Sequence, residues 1–332
     1  MKKILIIQTA FIGDVVLATA VIENLKHRYP DAQIDFLLQK GIESLLANNP
    51  HLGEVITWNK KDNKYRTLFS VIRQIRKNKY DLLINLQRFF ATGFITVFSG
   101  ARERIGFDKN PLSFLFSKKV KHIVSSQPPY KHEVERNKDL LKDITDDTFS
   151  NPRLYPSKKD FTAVHEYTTA PFVTMTPSSV WFTKKYPDEK WIDLLNNFPS
   201  TYNIYLLGGK DNMTECENLV LSSTNTKITV LAGQLSLLQS AALMKDAVMN
   251  YVNDSAPLHF ASAMNAPVTA IFCSTVPAFG FTPLSDKSFI IETKEVLSCR
   301  PCGLHGKKVC PLGHFKCGFG IETSQVLSTL SH

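Results

Sequence analysis

Short apolar runs alternate along this chain with segments whose apolar residues recur at helical spacing, and a polar turn separates each run from the segment after it. That alternation restricts the fold to parallel sheets covered by helices. Ile4 to Ile7 leads through Gln8-Thr9-Ala10-Phe11-Ile12-Gly13-Asp14 into a helical pattern from Val15 to Arg28. Ile34 to Leu38 and Tyr80 to Leu86 read as later strands. Between Thr145 and Asp160 the periodicity fades and Asp146, Asp147, Ser150, Asn151, Pro152, Pro156 and Ser157 collect, which reads as a linker. The alternation then restarts, with strands Phe172 to Met175, Ile204 to Leu207, Ile228 to Leu231 and Ala247 to Val252. The intervening helices are expected over Asp188 to Asn197, Asn212 to Leu221 and Leu235 to Met244. The expected architecture is α/β, two doubly wound Rossmann-like domains facing across a cleft, one over residues 1–155 and one over 160–332.

A chain of 332 residues exceeds what a single core usually serves, which agrees with two domains. With 43% hydrophobic and 21% charged residues, its composition is that of a globular protein and excludes long disorder. The net charge of +9 calls for an acidic partner, which nucleic acid, an anionic membrane surface or a phosphorylated substrate would each satisfy. Gln8 and Asp14 interrupt the first apolar stretch, so Met1-Lys2-Lys3 opens a strand rather than a secretory signal. Phe89 to Ala101, the longest apolar candidate, is too short to span a bilayer. Six cysteines without an export signal read as reduced thiols in a cytoplasm.

Three strand-to-helix turns carry ligand-like chemistry. In the first, a single glycine, Gly13, stands where a dinucleotide fold would place three, and Asp14 would repel a phosphate. Asp14 therefore reads as a helix N-cap or as a general base. The turn from Thr176 to Pro187 offers Ser178, Ser179, Thr183, Lys184 and Lys185 before a helix, a set suited to a diphosphate or to a basic surface loop. Asn253-Asp254-Ser255 stops an apolar run shortly before a segment, Phe260 to Met264, that reads as a helix, with His259 just ahead of it, which suits an anion at a helix N-terminus or an ordinary cap. Gly208-Gly209 either forms a turn or lets backbone approach a nucleotide.

In this order the residues resemble a known family. Ile12-Gly13-Asp14-Val15-Val16, Arg104-Ile105-Gly106-Phe107, His132-Glu133-Val134-Glu135-Arg136, Thr183-Lys184-Lys185-Tyr186-Pro187, Leu231-Ala232-Gly233 and Asn253-Asp254-Ser255 are similar to motifs of the ADP-heptose:lipopolysaccharide heptosyltransferases, GT-B glycosyltransferases. The resemblance implies an N-terminal acceptor domain and a C-terminal nucleotide-sugar domain with a cysteine-rich tail. It implies inverting transfer of a heptose from ADP-heptose to an inner-core lipopolysaccharide sugar, with Asp14 as base and neither a catalytic metal nor a cofactor. Ser178, Ser179, Thr183 and Lys184 would then cradle the donor diphosphate, with Asp254, Ser255, His259, Gly208 and Gly209 completing the donor site. Arg88, Lys131 and Arg136 are the acceptor-binding candidates against an anionic glycolipid, which places the protein in the cytoplasm, peripheral to the inner membrane. Ala256 and Tyr186 stand where the family commonly has glycine and tryptophan.

Cys299, Cys302, Cys310 and Cys317 have the residue types of a structural zinc site, but only the first pair has the short ligand spacing. A packed or redox-active thiol cluster is the reading taken here. Other readings are a related transferase with another nucleotide-sugar donor, a basic nucleic-acid binder with a four-cysteine zinc site, and a nicotinamide-dependent oxidoreductase. No aromatic and basic interleaving of the kind that stacks bases is read in the sequence, and the missing glycines argue against nicotinamide.

Overall fold

The computed structural model describes residues 2–61, 63–146 and 148–331, so Met1 and the linker residue Asp147 lie outside the described residues. The chain divides into one unit of Met1–Val124 with Lys131–Tyr155 and a second of Ser125–Tyr130 with Pro156–His332.

The N-terminal unit contains β1 (Lys3–Ile7), α1 (Ile12–Arg28), β2 (Gln33–Gln39), β3 (Leu52–Trp58), α2 (Lys64–Asn78), β4 (Leu82–Asn85), α3 (Phe90–Phe98), β5 (Glu103–Phe107), β6 (Lys118–Val120) and α4 (Glu133–Asp139). Its six strands are ordered β3-β2-β1-β4-β5-β6, all parallel. β1 is buried in the middle, so four of its five residues are apolar and inaccessible.

The C-terminal unit contains α5 (Lys158–Val164), β7 (Phe172–Thr176), α6 (Asp188–Asn197), β8 (Asn203–Leu206), α7 (Met213–Leu221), β9 (Ile228–Val230), α8 (Leu237–Asp246), β10 (Met249–Asn253), α9 (Ala256–Met264), β11 (Val268–Phe272), β12 (Ser288–Glu292), α10 (Lys316–Phe319) and α11 (Thr323–Leu327). Its parallel order is β12-β11-β10-β7-β8-β9. Each unit is doubly wound, and the strand order reverses between β1 and β4 in one and between β7 and β10 in the other. Carboxyl ends of strands at such a reversal form the crevice in which open α/β sheets bind ligands.

Several elements begin elsewhere than the periodicity predicts, each for a local reason. α1 starts at Ile12 with Phe11 at its N-cap, so Asp14 lies inside the first turn and does not cap the helix. Ser157 and Asp160, counted above as linker, form a capping box that starts α5. Ser236 does the same for α8 with Gln239. α9 begins at Ala256, ahead of the Phe260 start read from the sequence, because Pro257 is tolerated in a first turn.

At the β7/β10 reversal the fully buried Asn253 ties the two strand ends together. Its Nδ2 donates to the carbonyls of Thr176, Pro177 and Ser178, at 3.3, 2.7 and 3.4 Å, and its Oδ1 accepts from the Tyr186 N–H at 2.9 Å. Asn253→Ala strands those buried backbone groups, and unfolding in urea should show a loss of about 2–4 kcal/mol; a loss below about 0.5 kcal/mol would mean the loop is held by other contacts.

Candidate functional site

The turn after β7 approaches the end of β10 through an ion pair. Lys184 Nζ lies 2.8 Å from Asp254 Oδ2, and the Thr275 hydroxyl donates to the same oxygen at 2.6 Å. Asp254 is buried, at 5% exposure, and an unpaired carboxylate there would be costly, so Lys184 and Thr275 offset its desolvation. Ser255 occupies the N-cap of α9 in extended conformation, yet its side chain makes no capping bond. The leading end of α9, with its partial positive charge, is therefore not closed by its own cap.

Thr183, at 1% exposure, serves as a junction. Its Oγ1 accepts from the Ser274 hydroxyl at 2.9 Å and from the Lys307 N–H at 2.7 Å, while its N–H donates to the Lys307 carbonyl at 3.1 Å. Ser178 donates its hydroxyl to Glu215, which also pairs with Lys185. Burial would lower the Lys185 pKa, but Asp188 and Glu215 overcome it and hold that ammonium above its ordinary value. Ser179 is half-buried on the same turn. Gly208 lies after β8, where a Cβ would come within 2.9 Å of Asn212 Cβ, and the Gly209 N–H donates to Asn212 Oδ1 at 3.1 Å. His259 is buried on α9, its ring centroid 6.5 Å from that of Phe281.

The structure thus brings Thr183, Lys184 and Asp254 together around Thr275 and Ser274, places Ser178 with Glu215 and Lys185, and leaves Gly208 and Gly209 on the neighbouring β8 turn. Sequence reasoning assigned no role to Ser274, Thr275, Arg300 or Gly306. Arg300 Nε donates to the Cys273 carbonyl at 2.7 Å, and its Nη2 donates to the carbonyls of Phe272 and Thr275 and to Glu292, at 3.1, 2.7 and 2.8 Å. The guanidinium clamps the loop that carries Ser274 and Thr275. Gly306 has φ +75°, and a Cβ there would meet Lys184 Cγ at 2.9 Å and Thr183 Oγ1 at 3.0 Å. The cysteine-rich tail therefore packs directly behind the Lys184 turn, a position no local spacing signalled.

All six cysteines are thiols. Burial, with Cys299 and Cys310 close by, raises the Cys302 pKa, and burial pushes Cys317 up to about 11. Among the described residues, no group of three or more His, Cys, Asp or Glu side chains is placed to hold a metal ion.

In the N-terminal unit the β1/β4 reversal is bridged by side chains the sequence did not single out. The Thr9 hydroxyl donates to Gln87 Oε1 at 2.9 Å, and Gln87 Nε2 donates to Gln8 Oε1. Asp14, half-buried, sits one turn beyond on α1, where the helix dipole favours a carboxylate. Arg88 is exposed just after β4. Lys131 is exposed and pairs with Asp139 at 2.5 Å. Arg136 differs from both: at 2% exposure its Nε donates to Glu133 Oε2 at 2.7 Å, and its charge is committed to the interior of the unit. Burial raises the Glu133 pKa, but His122 and Arg136 outweigh that and hold it below its ordinary value. The His132/Glu135 capping box fixes the start of α4 and aims Arg136 inward.

Arg300→Met removes the clamp on the 272–275 loop. Denaturation should show about 2–3 kcal/mol less stability, and amide exchange should quicken at Ser274 and Thr275; unchanged exchange there would show that the tail does not hold the loop.

Comparison with known proteins adds an independent line. Residues 68–312 match the family model of glycosyltransferase family 9 (heptosyltransferase). The chain is 29% identical over 280 residues to lipopolysaccharide heptosyltransferase 3 of Escherichia coli, covering 80% of this chain and 82% of that protein. It superposes on a glycosyl transferase family 9 protein from Veillonella parvula DSM 2008 with a TM-score of 0.83 at 20% identity, covering 99% of this chain and 96% of that one. Against E. coli ADP-heptose lps heptosyltransferase II the TM-score is 0.81 at 22% identity, over 100% and 98% of the two chains. The family model covers well over half of the chain, and the chain belongs to glycosyltransferase family 9, the heptosyltransferases.

Proposed function

We propose that this glycosyltransferase moves a heptose from ADP-heptose to an inner-core lipopolysaccharide sugar, with inversion at the anomeric carbon. The observation that carries the donor side of this reading is the Lys184–Asp254 pair, 2.8 Å apart, beside the uncapped start of α9. A diphosphate at that place meets an ammonium and a helix N-terminus, which stabilise charge as it grows on the leaving group. Asp254 keeps Lys184 extended toward the strand ends, and Thr183, Arg300 and Gly306 hold the surrounding loops. Ser179 and Ser255 offer hydroxyls to phosphate or sugar, and the Gly208-Gly209 turn offers backbone to the nucleoside. Ser178 and His259 act through the packing of the turn and of α9. The names of the relatives, an ADP-heptose enzyme among them, support the choice of donor.

On the acceptor side, Asp14 takes the proton of the attacking hydroxyl as its oxygen bonds to the anomeric carbon. The bond from that carbon to the phosphate oxygen breaks, and its electron pair leaves with ADP. Positive charge comes from Lys184 and α9, so this chemistry asks for no metal at the diphosphate. Arg88 and Lys131 meet the acidic groups of the acceptor, while Arg136 positions α4. The acceptor is a lipid-linked sugar, and the reaction takes place at the cytoplasmic face of the inner membrane.

Asp14→Asn tests the assignment of the base. The variant should fold and bind ADP as the parent does, while turnover of ADP-heptose falls about a hundredfold or more. Turnover within about threefold of the parent would reduce Asp14 to a favourable charge in a helix's first turn.

A further inference from the structure

Helices α2 and α3 carry an aromatic and basic face that no step above uses. On α2, Tyr65 and Phe69 are one turn apart, and on α3 Phe90, Phe94 and Phe98 follow at the same spacing. Tyr65, Phe69, Phe90 and Phe98 are 73, 59, 58 and 47% exposed. These rings form one patch, not isolated surface residues: the Phe94 centroid lies 6.2 Å from Phe69, 6.3 Å from Phe90 and 4.4 Å from Phe98. The core does not take Tyr65, Phe69, Phe90 and Phe98: Leu68, Val71, Ile72, Ile75 and Ile95 fill it from the adjoining faces of the same helices, and Phe94 alone of the strip packs partly against it. A contiguous exposed apolar patch marks a surface that meets something.

Charge identifies the occupant. The sequence of α2 holds five basic residues and no acidic one, and of these Arg66, Arg73, Arg76 and Lys77 are exposed. Arg76 also donates to the Phe98 carbonyl at 3.2 Å, which joins the basic ridge to the aromatic strip. Rings that enter the headgroup boundary, flanked by cations that meet anionic lipid, are the chemistry of an interfacial surface. A second copy of this chain fits poorly, since a two-fold contact sets the face against itself and brings like charges together.

We propose that the α2–α3 face docks the enzyme onto an anionic lipid bilayer. The proposal rests on the reading of the acceptor as a lipid-linked sugar. Co-sedimentation of the full chain with phosphatidylcholine vesicles, with and without phosphatidylglycerol and free of any glycolipid, tests it. Binding should require phosphatidylglycerol, weaken with salt, and fall about tenfold both in Phe69→Ser/Phe90→Ser and in Arg73→Gln/Lys77→Gln. Thermal midpoints of both variants should match the parent, as should their turnover on a soluble acceptor sugar.

Unchanged partition of the variants, or no partition of the parent, overturns the proposal. So does a concentration-dependent dimer that Phe69→Ser/Phe90→Ser abolishes without any vesicle binding. Failure on vesicles with transfer to a soluble acceptor intact sinks the docking alone. Vesicle binding that follows the expected pattern without any heptose transfer supports the docking and sinks the functional reading instead.

Discussion

The Asn253 carboxamide is the contact on which the β7/β10 crevice depends. At the point where the strand order reverses, the β7/β10 ladder ends at Thr176 and Val252, and the loops beyond it diverge and leave a gap. One buried side chain, donating to the β7 loop and accepting from Tyr186, closes that gap and sets where the Lys184 turn begins. The next residue, Asp254, then faces Lys184 instead of solvent. A single Asn-Asp pair at the end of β10 thus both builds the crevice and charges it.

Behind that crevice the fold recruits a segment far away in sequence. Lys307 closes a two-way backbone and side-chain exchange with Thr183, Arg300 gathers three carbonyls of the 272–275 loop, and Gly306 comes close enough to Lys184 that a methyl group would not fit. The cysteine-rich tail is in this sense part of the site's support, and burial raises the pKa of its Cys302 and Cys317 thiols.

The doubly wound plan was legible because its signal is local: buried parallel strands must be short and apolar, and each must be followed by a turn and an amphipathic helix. Asp188 to Asn197 could be read to the residue for that reason. Helix starts were less legible where a cap competed with periodicity: Ser157 with Asp160 carried the sequence signal of a capping box, whereas His132 is not a residue type that signals one. The polar turns pointed to Lys184 and Asp254, but not to the pairing between them, nor to Arg300 and Gly306, which act across long sequence separations. Arg136 shows the converse: a basic residue reads as surface until its buried partner, Glu133, is seen.

The most direct measurement is a calorimetric titration of ADP into the parent enzyme and Lys184→Ala. Loss of the ammonium removes an attraction for the diphosphate and leaves the buried Asp254 carboxylate to repel it. ADP should bind the parent, and its affinity should fall about tenfold or more in the variant. Equal affinity in the two proteins, or no binding of ADP to the parent, would contradict a donor diphosphate held at the β7/β10 crevice.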